Sequence, residues 1–190
     1  MKSDRLDSEK SLDSLLVSQT VEGLSIDIFL QQTLQDKASA LESLTNALLQ
    51  LWQCFRNAAD QEGIELPLSK YPNVKWFITF VFVDDQRMAS LNLKYRNKNA
   101  STDVLTFPAL QESDLSHMLT VLPEVDLGSV FVSLDWAEAN VVSEKKSMPA
   151  FIVERMVHGL LHSLGFHHDT ERDYQRVIRI QQSVIESFFK

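Results

Sequence analysis

The sequence predicts an α+β fold: a single domain with a small mixed β-sheet of about four strands packed with helices. Three observations carry this. After residue 20, short runs of strand character alternate with longer runs of helical periodicity. Hydrophobic residues make up 44% and charged residues 23%, the balance of an ordinary soluble domain. A chain of 190 residues buries enough surface on folding to form a core without cross-links.

Residues 1–20 are rich in Ser, Asp and Lys, and read as a flexible N-terminal extension to a domain spanning 21–190. From Leu24, apolar Leu24, Ile26 and Ile28 alternate with Ser25 and Asp27, a half-buried strand. Leu41, Leu44, Leu48, Leu51, Trp52 and Phe55 recur at spacings of three and four, which predicts one long amphipathic helix over 39–62, stopped near Gly63. The run from Lys75 to Val83 is dense in aromatic and β-branched residues and reads as a central strand. Asp84 is placed to cap a helix through Met88, Leu91 and Tyr95. Val104–Phe107 reads as a short strand ended by Pro108. An acidic loop or hairpin over 109–126 contains His117, and a further strand spans Leu127–Val132. Ser133 begins a helix carrying Trp136, and Thr170 caps a last helix from about Glu171 to Phe188.

The net charge is −8, which argues against a protein held to nucleic acid by bulk charge. The lone cysteine, Cys54, excludes an internal disulfide framework and a cysteine-rich zinc finger, and its place in a helical pattern predicts a buried small hydrophobe. Residues 1–20 lack the apolar stretch of a secretory signal, and no run of apolar residues is long enough to span a bilayer. A cytoplasmic protein without membrane partners is expected.

Four of the five histidines fall between His158 and His168. His158 and His162 are four apart in a strongly apolar helical stretch, so one face presents both imidazoles. Gly165 can end the helix and turn the chain, bringing His168 back toward them. Three imidazoles from a helix and its following turn leave one position open on a metal ion, the arrangement of a catalytic rather than a structural site. The His-x-x-x-His-x-x-Gly-x-x-His spacing is also that of the metzincin proteases, but those carry a glutamate base directly after the first histidine. Here that place is Gly159, so a peptidase mechanism using that base is disfavoured. His167 reads as solvent-facing, with a fourth-donor or supporting role as alternatives.

The segment HGLLHSLGFHH resembles the His-Gly-x-Leu-His-x-x-Gly-x-Asp-His signature of the YbeY family of bacterial endoribonucleases. A second stretch, LNLKYRNKNASTDVLTFP over Leu91–Pro108, is similar to that family's Leu-Asn-x-x-Tyr-Arg … Thr-Asp-Val-Leu-Ser-Phe-Pro motif. The resemblance covers about residues 24–190. It implies a metal-dependent, single-strand-specific endoribonuclease acting in ribosomal RNA maturation, notably at the 3′ end of the small-subunit RNA, and in ribosome quality control. It implies one Zn2+ per chain on His158, His162 and His168, and a functional arginine at Arg96. Single-stranded RNA, above all ribosomal RNA, and the ribosome or its proteins are the implied partners, and DNA is not expected. The sequence departs from the family pattern at His167, where an Asp is usual, and at Ser129, where Gly-Asp becomes Gly128-Ser129. Neither change removes a ligand.

Lys94, Arg96 and Lys98 place three cations within five residues of an acidic chain. A guanidinium can donate two parallel hydrogen bonds to a phosphate, which suits Arg96 to charge on a phosphodiester. Two other readings stay open: a non-catalytic ribosome assembly factor with a structural metal, and a metallohydrolase of another substrate class.

Overall fold

The computed structural model describes residues 13–109, 123–167 and 169–190. Five strands form one sheet in the order β1-β2-β3-β5-β4: β1 Asp13–Val21, β2 Leu24–Gln31, β3 Lys75–Val83, β4 Val104–Pro108 and β5 Glu124–Ser133. The helices are α1 Ala38–Asn46, α2 Leu48–Gln61, α3 Pro67–Lys70, α4 Asp85–Arg96, α5 Leu134–Asn140, α6 Met148–Ser163 and α7 Glu171–Phe188. The central strands β2, β3 and β5 run parallel, and the two edge strands run antiparallel to their neighbours.

The fifth strand is β1. Residues 13–20 therefore belong to the sheet and not to the flexible extension that their composition suggests; residues 1–12 lie outside the described residues. Two features make β1 a strand despite its polar composition. Glu22 and Gly23 both have positive φ, 47° and 87°, the signature of a two-residue type I′ hairpin turn that sets β1 against β2. The Asp13 carboxylate, 2% exposed, is held by two guanidinium nitrogens of Arg87, with Nη2 3.0 Å from Oδ2.

The strand pattern separates two faces. Trp76, Ile78, Phe80 and Phe82 of β3, with Leu24, Ile26, Ile28 and Leu30 of β2 and Val130 and Val132 of β5, meet α1, α2, α6 and α7 in the main core. Val81, Val83, Leu105 and Phe131 point the other way and are covered by Met88 and Leu91 of α4. Helices thus cover both faces of the sheet. The expected long helix over 39–62 is instead two, broken at Ala47 (φ −110°, ψ 17°), and both halves send leucines into the same core. The strand expected at Leu127–Val132 starts at Glu124. The loop around His117 falls within 110–122, outside the described residues.

The three caps read from sequence are present. Asp84, Ser133 and Thr170 accept hydrogen bonds from the backbone N–H of Arg87, Trp136 and Asp173. No helix among the described residues is long and apolar enough to cross a membrane. Cys54 is half-buried against the core, and burial pushes its thiol pKa up.

Candidate metal and RNA site

Helix α6 is built to bring two histidines to one place. Its buried side carries Phe151, Ile152, Val153, Met156, Val157, Leu160 and Leu161, which fixes its rotation about its own axis. Gly159 faces β5 directly: a Cβ there would stand 2.3 Å from Val130 Cγ1, so only glycine allows helix and strand to come this close. With that side turned to the sheet, His158 and His162 share an adjacent, half-buried side. Their Nε2 atoms are 3.0 Å apart, and their ring planes meet at 73°.

The helix ends in a Schellman turn. Phe166 N–H donates to Leu161 O at 3.0 Å and Gly165 N–H to His162 O at 3.1 Å, with Gly165 at φ 86°. The turn carries His167, whose exposed ring lies 5.8 Å from that of His162. His168 lies outside the described residues. Among the described residues, no three histidine, cysteine or carboxylate side chains converge as a metal cage.

The donor pair itself fits a metal ion. Two nitrogens bound tetrahedrally to one zinc, each at 2.0–2.1 Å, stand about 3.3 Å apart. The observed 3.0 Å needs only a small opening of the two rings. Imidazole nitrogen is the donor type that zinc and related transition metals take.

Arg96 occupies the exposed last turn of α4, on the opposite face of the sheet from α6. Among the described residues, no hydrogen bond, ion pair or ring contact joins it to either histidine. The motif around it has a physical reading. Leu91 is buried, and the buried Asn92 side chain donates to Ala100 O at 2.8 Å, closing the loop that follows the helix. Asn97 takes the left-handed conformation, φ 56°, that stops the helix just after Arg96. Ser129 pairs with Phe107 and shares its face, so the missing carboxylate of the Gly128-Ser129 departure belongs on the α4 side of the sheet, away from the histidine face.

One group escapes a reading of the sequence. Arg155, one turn before His158, donates from Nε to Asp103 Oδ2 at 2.5 Å and from Nη2 to Glu144 at 3.1 Å, with its guanidinium 4.2 Å from the centre of the Phe151 ring. Lys146 binds Glu144 at 2.8 Å and Glu154 at 2.5 Å. Asp103 lies in the stretch Leu91–Pro108 and Arg155 just ahead of the histidine segment, so this ion pair ties the two motifs together in space. A charged residue on the same stripe as His158 and His162 was the available signal. At the ends of β3 and β5, Asp85 accepts hydrogen bonds from Ser101 and Ser133, each at 2.6 Å, and Asp135 takes the Lys37 ammonium at 2.8 Å.

These charges set a pH dependence. The Lys37 hydrogen bond outweighs burial and holds the Asp135 carboxyl below its ordinary value. Burial pushes Glu144 upward, but Lys146 and Arg155 together outweigh it and leave it lowered. Both contributions are complete above the ordinary carboxylate range, near pH 4–5, and are lost as pH falls through the lowered folded values. Lys37 and Lys146 are raised by their carboxylate partners against burial, so their contribution is lost only as pH rises above about 10. The thermal midpoint is therefore expected to be level from about pH 6 to 9 and to fall below about pH 4. A midpoint that climbs on acidification from pH 5 to 3 would contradict the pairing.

Comparison with known proteins identifies the family. Residues 31–189 match the family described as Endoribonuclease YbeY. A relative named Endoribonuclease YbeY from Prochlorococcus marinus (strain MIT 9312) is 31% identical over 125 residues, 66% of this chain and 68% of the relative. One of the same name from Onion yellows phytoplasma (strain OY-M) is 34% identical over 113 residues, 60% of this chain and 74% of the relative. The solution structure of TM1509 from Thermotoga maritima shares the fold, with a TM-score of 0.50 and 21% identity over 86% of this chain and 89% of that one. Two motifs far apart in sequence, joined through Arg155 and Asp103, and a match running from the end of β2 to the end of α7 lead to one conclusion: the chain belongs to the endoribonuclease YbeY family.

Proposed function

We propose that this protein is a metal-dependent endoribonuclease that cuts single-stranded RNA in the maturation of ribosomal RNA, including the 3′ end of the small-subunit RNA. It serves ribosome quality control in the cytoplasm, with the ribosome or its proteins as partners. The observation that carries this reading is the pair of Nε2 atoms 3.0 Å apart on α6. His158 and His162, with His168 as the third ligand, would hold the ion, and zinc fits an all-imidazole set. When bound, such an ion supplies Lewis-acid polarisation of a phosphoryl oxygen and an acidified water.

The chain's own residues supply the rest. Arg96 is free of carboxylate partners among the described residues, so its guanidinium is available to grip a phosphate of the bound strand and hold the RNA for cleavage. At position 159 the packing against Val130 leaves no room for a carboxylate base. RNA can provide its own nucleophile in the 2′-hydroxyl, which removes the need for one there.

The test combines metal analysis of the purified protein with cleavage of a single-stranded RNA. Arg96→Glu is expected to keep the metal and lose roughly a hundredfold in cleavage rate; unchanged turnover would remove Arg96 from the reaction. Chelation separates catalysis from a structural metal. The proposal predicts that the protein stays folded and stops cutting. Unfolding on chelation, with no cleavage by the metal-loaded protein, would favour the assembly-factor reading.

A further inference from the structure

We infer that Tyr95 is a stacking platform for an unpaired nucleobase, and that the RNA strand crosses the edge strand β4 from the end of α4 to the histidines of α6. The inference rests on the endoribonuclease reading and adds to it a residue that selects single strands.

The ring of Tyr95 is held in place yet open. It meets Phe107 edge to face at 4.9 Å, and Phe107 in turn meets Phe131 at 5.6 Å, so the tyrosine is anchored through β4 to β5. Tyr95 nevertheless remains 42% exposed, and neighbouring Leu93 48%. A ring fixed by its neighbours loses little freedom when a base lies against it. Base-aromatic stacking needs a base that is not already paired, which makes the platform selective for single strands whatever their sequence.

Much of the positive charge elsewhere in this protein is committed to carboxylates. Lys37, Arg56, Lys75, Arg87, Lys146, Arg155 and Arg179 are each paired with a carboxylate. Arg96 and Lys98 are exposed and have no such pair among the described residues, and Lys94 Nζ sits 4.9 Å from the Tyr95 ring centre. No acidic residue lies between Asp85 and Asp103 in sequence. Asp85 is engaged by Ser101 and Ser133, and Asp103 by Arg155. In a chain of net charge −8, this leaves the exposed Arg96 and Lys98 beside an open aromatic ring, the pairing of phosphate and base contacts that single-stranded RNA requires.

The topology connects this platform to the histidines. Phe107 and Leu105 of β4 face α4, while Val104 faces the main core, where α6 packs on β4 and β5. Among the described residues strand β4 is the edge of the sheet, so α4, which carries Tyr95, and α6, which carries His158, lie on its two sides. Directly packed layers lie about 10 Å apart, so elements on the two faces of one sheet are about 20 Å apart, a distance an extended RNA strand spans within a few nucleotides.

The test measures binding of a short, end-labelled single-stranded RNA by fluorescence anisotropy to the metal-loaded protein, with an abasic nucleotide placed at each position in turn. The wild-type scan is expected to show one position where loss of the base weakens binding roughly tenfold. Tyr95→Phe should bind as wild type. Tyr95→Leu, which keeps apolar packing on Phe107, should lose the same factor with intact RNA and lose nothing further when that one base is removed. A Tyr95→Leu protein that binds intact RNA as wild type overturns the platform, and is also the outcome if this surface takes a polypeptide instead. An abasic scan with no sensitive position overturns it without any variant. If the wild-type protein neither binds nor cuts single-stranded RNA, the endoribonuclease reading falls with it; if it does both without depending on Tyr95, only the platform falls.

Discussion

Replacing His158 with Ala is expected to abolish metal retention and to lower RNA cleavage at least about a thousandfold, on the order of 4 kcal/mol in barrier height. The reason lies in the geometry of α6. His158 and His162 offer a chelating pair only because they stand one turn apart with both Nε2 atoms turned to one point, 3.0 Å from each other. Removing one leaves His162 a single donor from the helix, and an ion held by fewer than three imidazoles exchanges with solvent. The variant should fold, because His158 is half-buried and packs no core residue out of place. Metal content by elemental analysis, a circular dichroism melt and cleavage of a single-stranded RNA check the three parts separately. A metal-free His158→Ala protein that cuts at the native rate would refute the metal mechanism.

Gly159→Ala is expected to destabilise the protein by about 2 kcal/mol. The new methyl group would meet Val130 Cγ1 at 2.3 Å and Cγ2 at 2.9 Å. Valine is stiff about χ1, and Val130 is fully buried in β5 between two other strands, so it cannot turn away. Overpacking of this kind costs about 1–3 kcal/mol, here toward the upper end, and alanine's better helix propensity returns roughly 1 kcal/mol. For a chain of this size the melting midpoint should fall by roughly 4–8 °C. Val130→Ala opens space for the added methyl, so the double variant should be less unstable than the two single changes summed. Strict additivity would show that the helix moves as a body instead. Gly159→Glu, which would restore the metzincin base, should not fold. The absence of a peptidase base is thus a packing requirement as much as a chemical one.

The parts of the site that were legible in the sequence are those fixed by local geometry. The spacing of His158 and His162 commits them to one face of any helix, and the caps at Asp84, Ser133 and Thr170 are decided within one turn. The alternation in β2 and the density of β3 gave their strands away because central strands must bury what they carry. Features that depend on distant partners were not legible. Strand β1 contains Leu15, Leu16 and Val17 in succession and has a register shift there, so it shows no clean alternation. Its hold on Arg87 spans 74 positions, and that of Arg155 on Asp103 spans 52. The break at Ala47 has no glycine or proline to announce it. The assignment of Arg96 to the α4 face needed the sheet order, which no periodicity within α4 contains.

The hairpin turn at Glu22-Gly23 also bears on how the molecule assembles. It closes a contact between neighbouring strands over only two residues, whereas β2 must wait for β3, separated from it by Gln32–Val74. Hairpins form in roughly 1–10 μs, while parallel pairing over a long connection is slow. During synthesis β1 and β2 therefore emerge and zip first. The open edge of β2, with Leu24, Ile26, Ile28 and Leu30 on one face, then stays unpaired until Val83 has left the ribosome. Helices α1 and α2, which lie in that interval and end on the same leucines and isoleucines in the core, are the segments available to shield it. Substitutions that weaken α2 should therefore show first as aggregation during expression, before they show as a lower melting temperature of the finished protein.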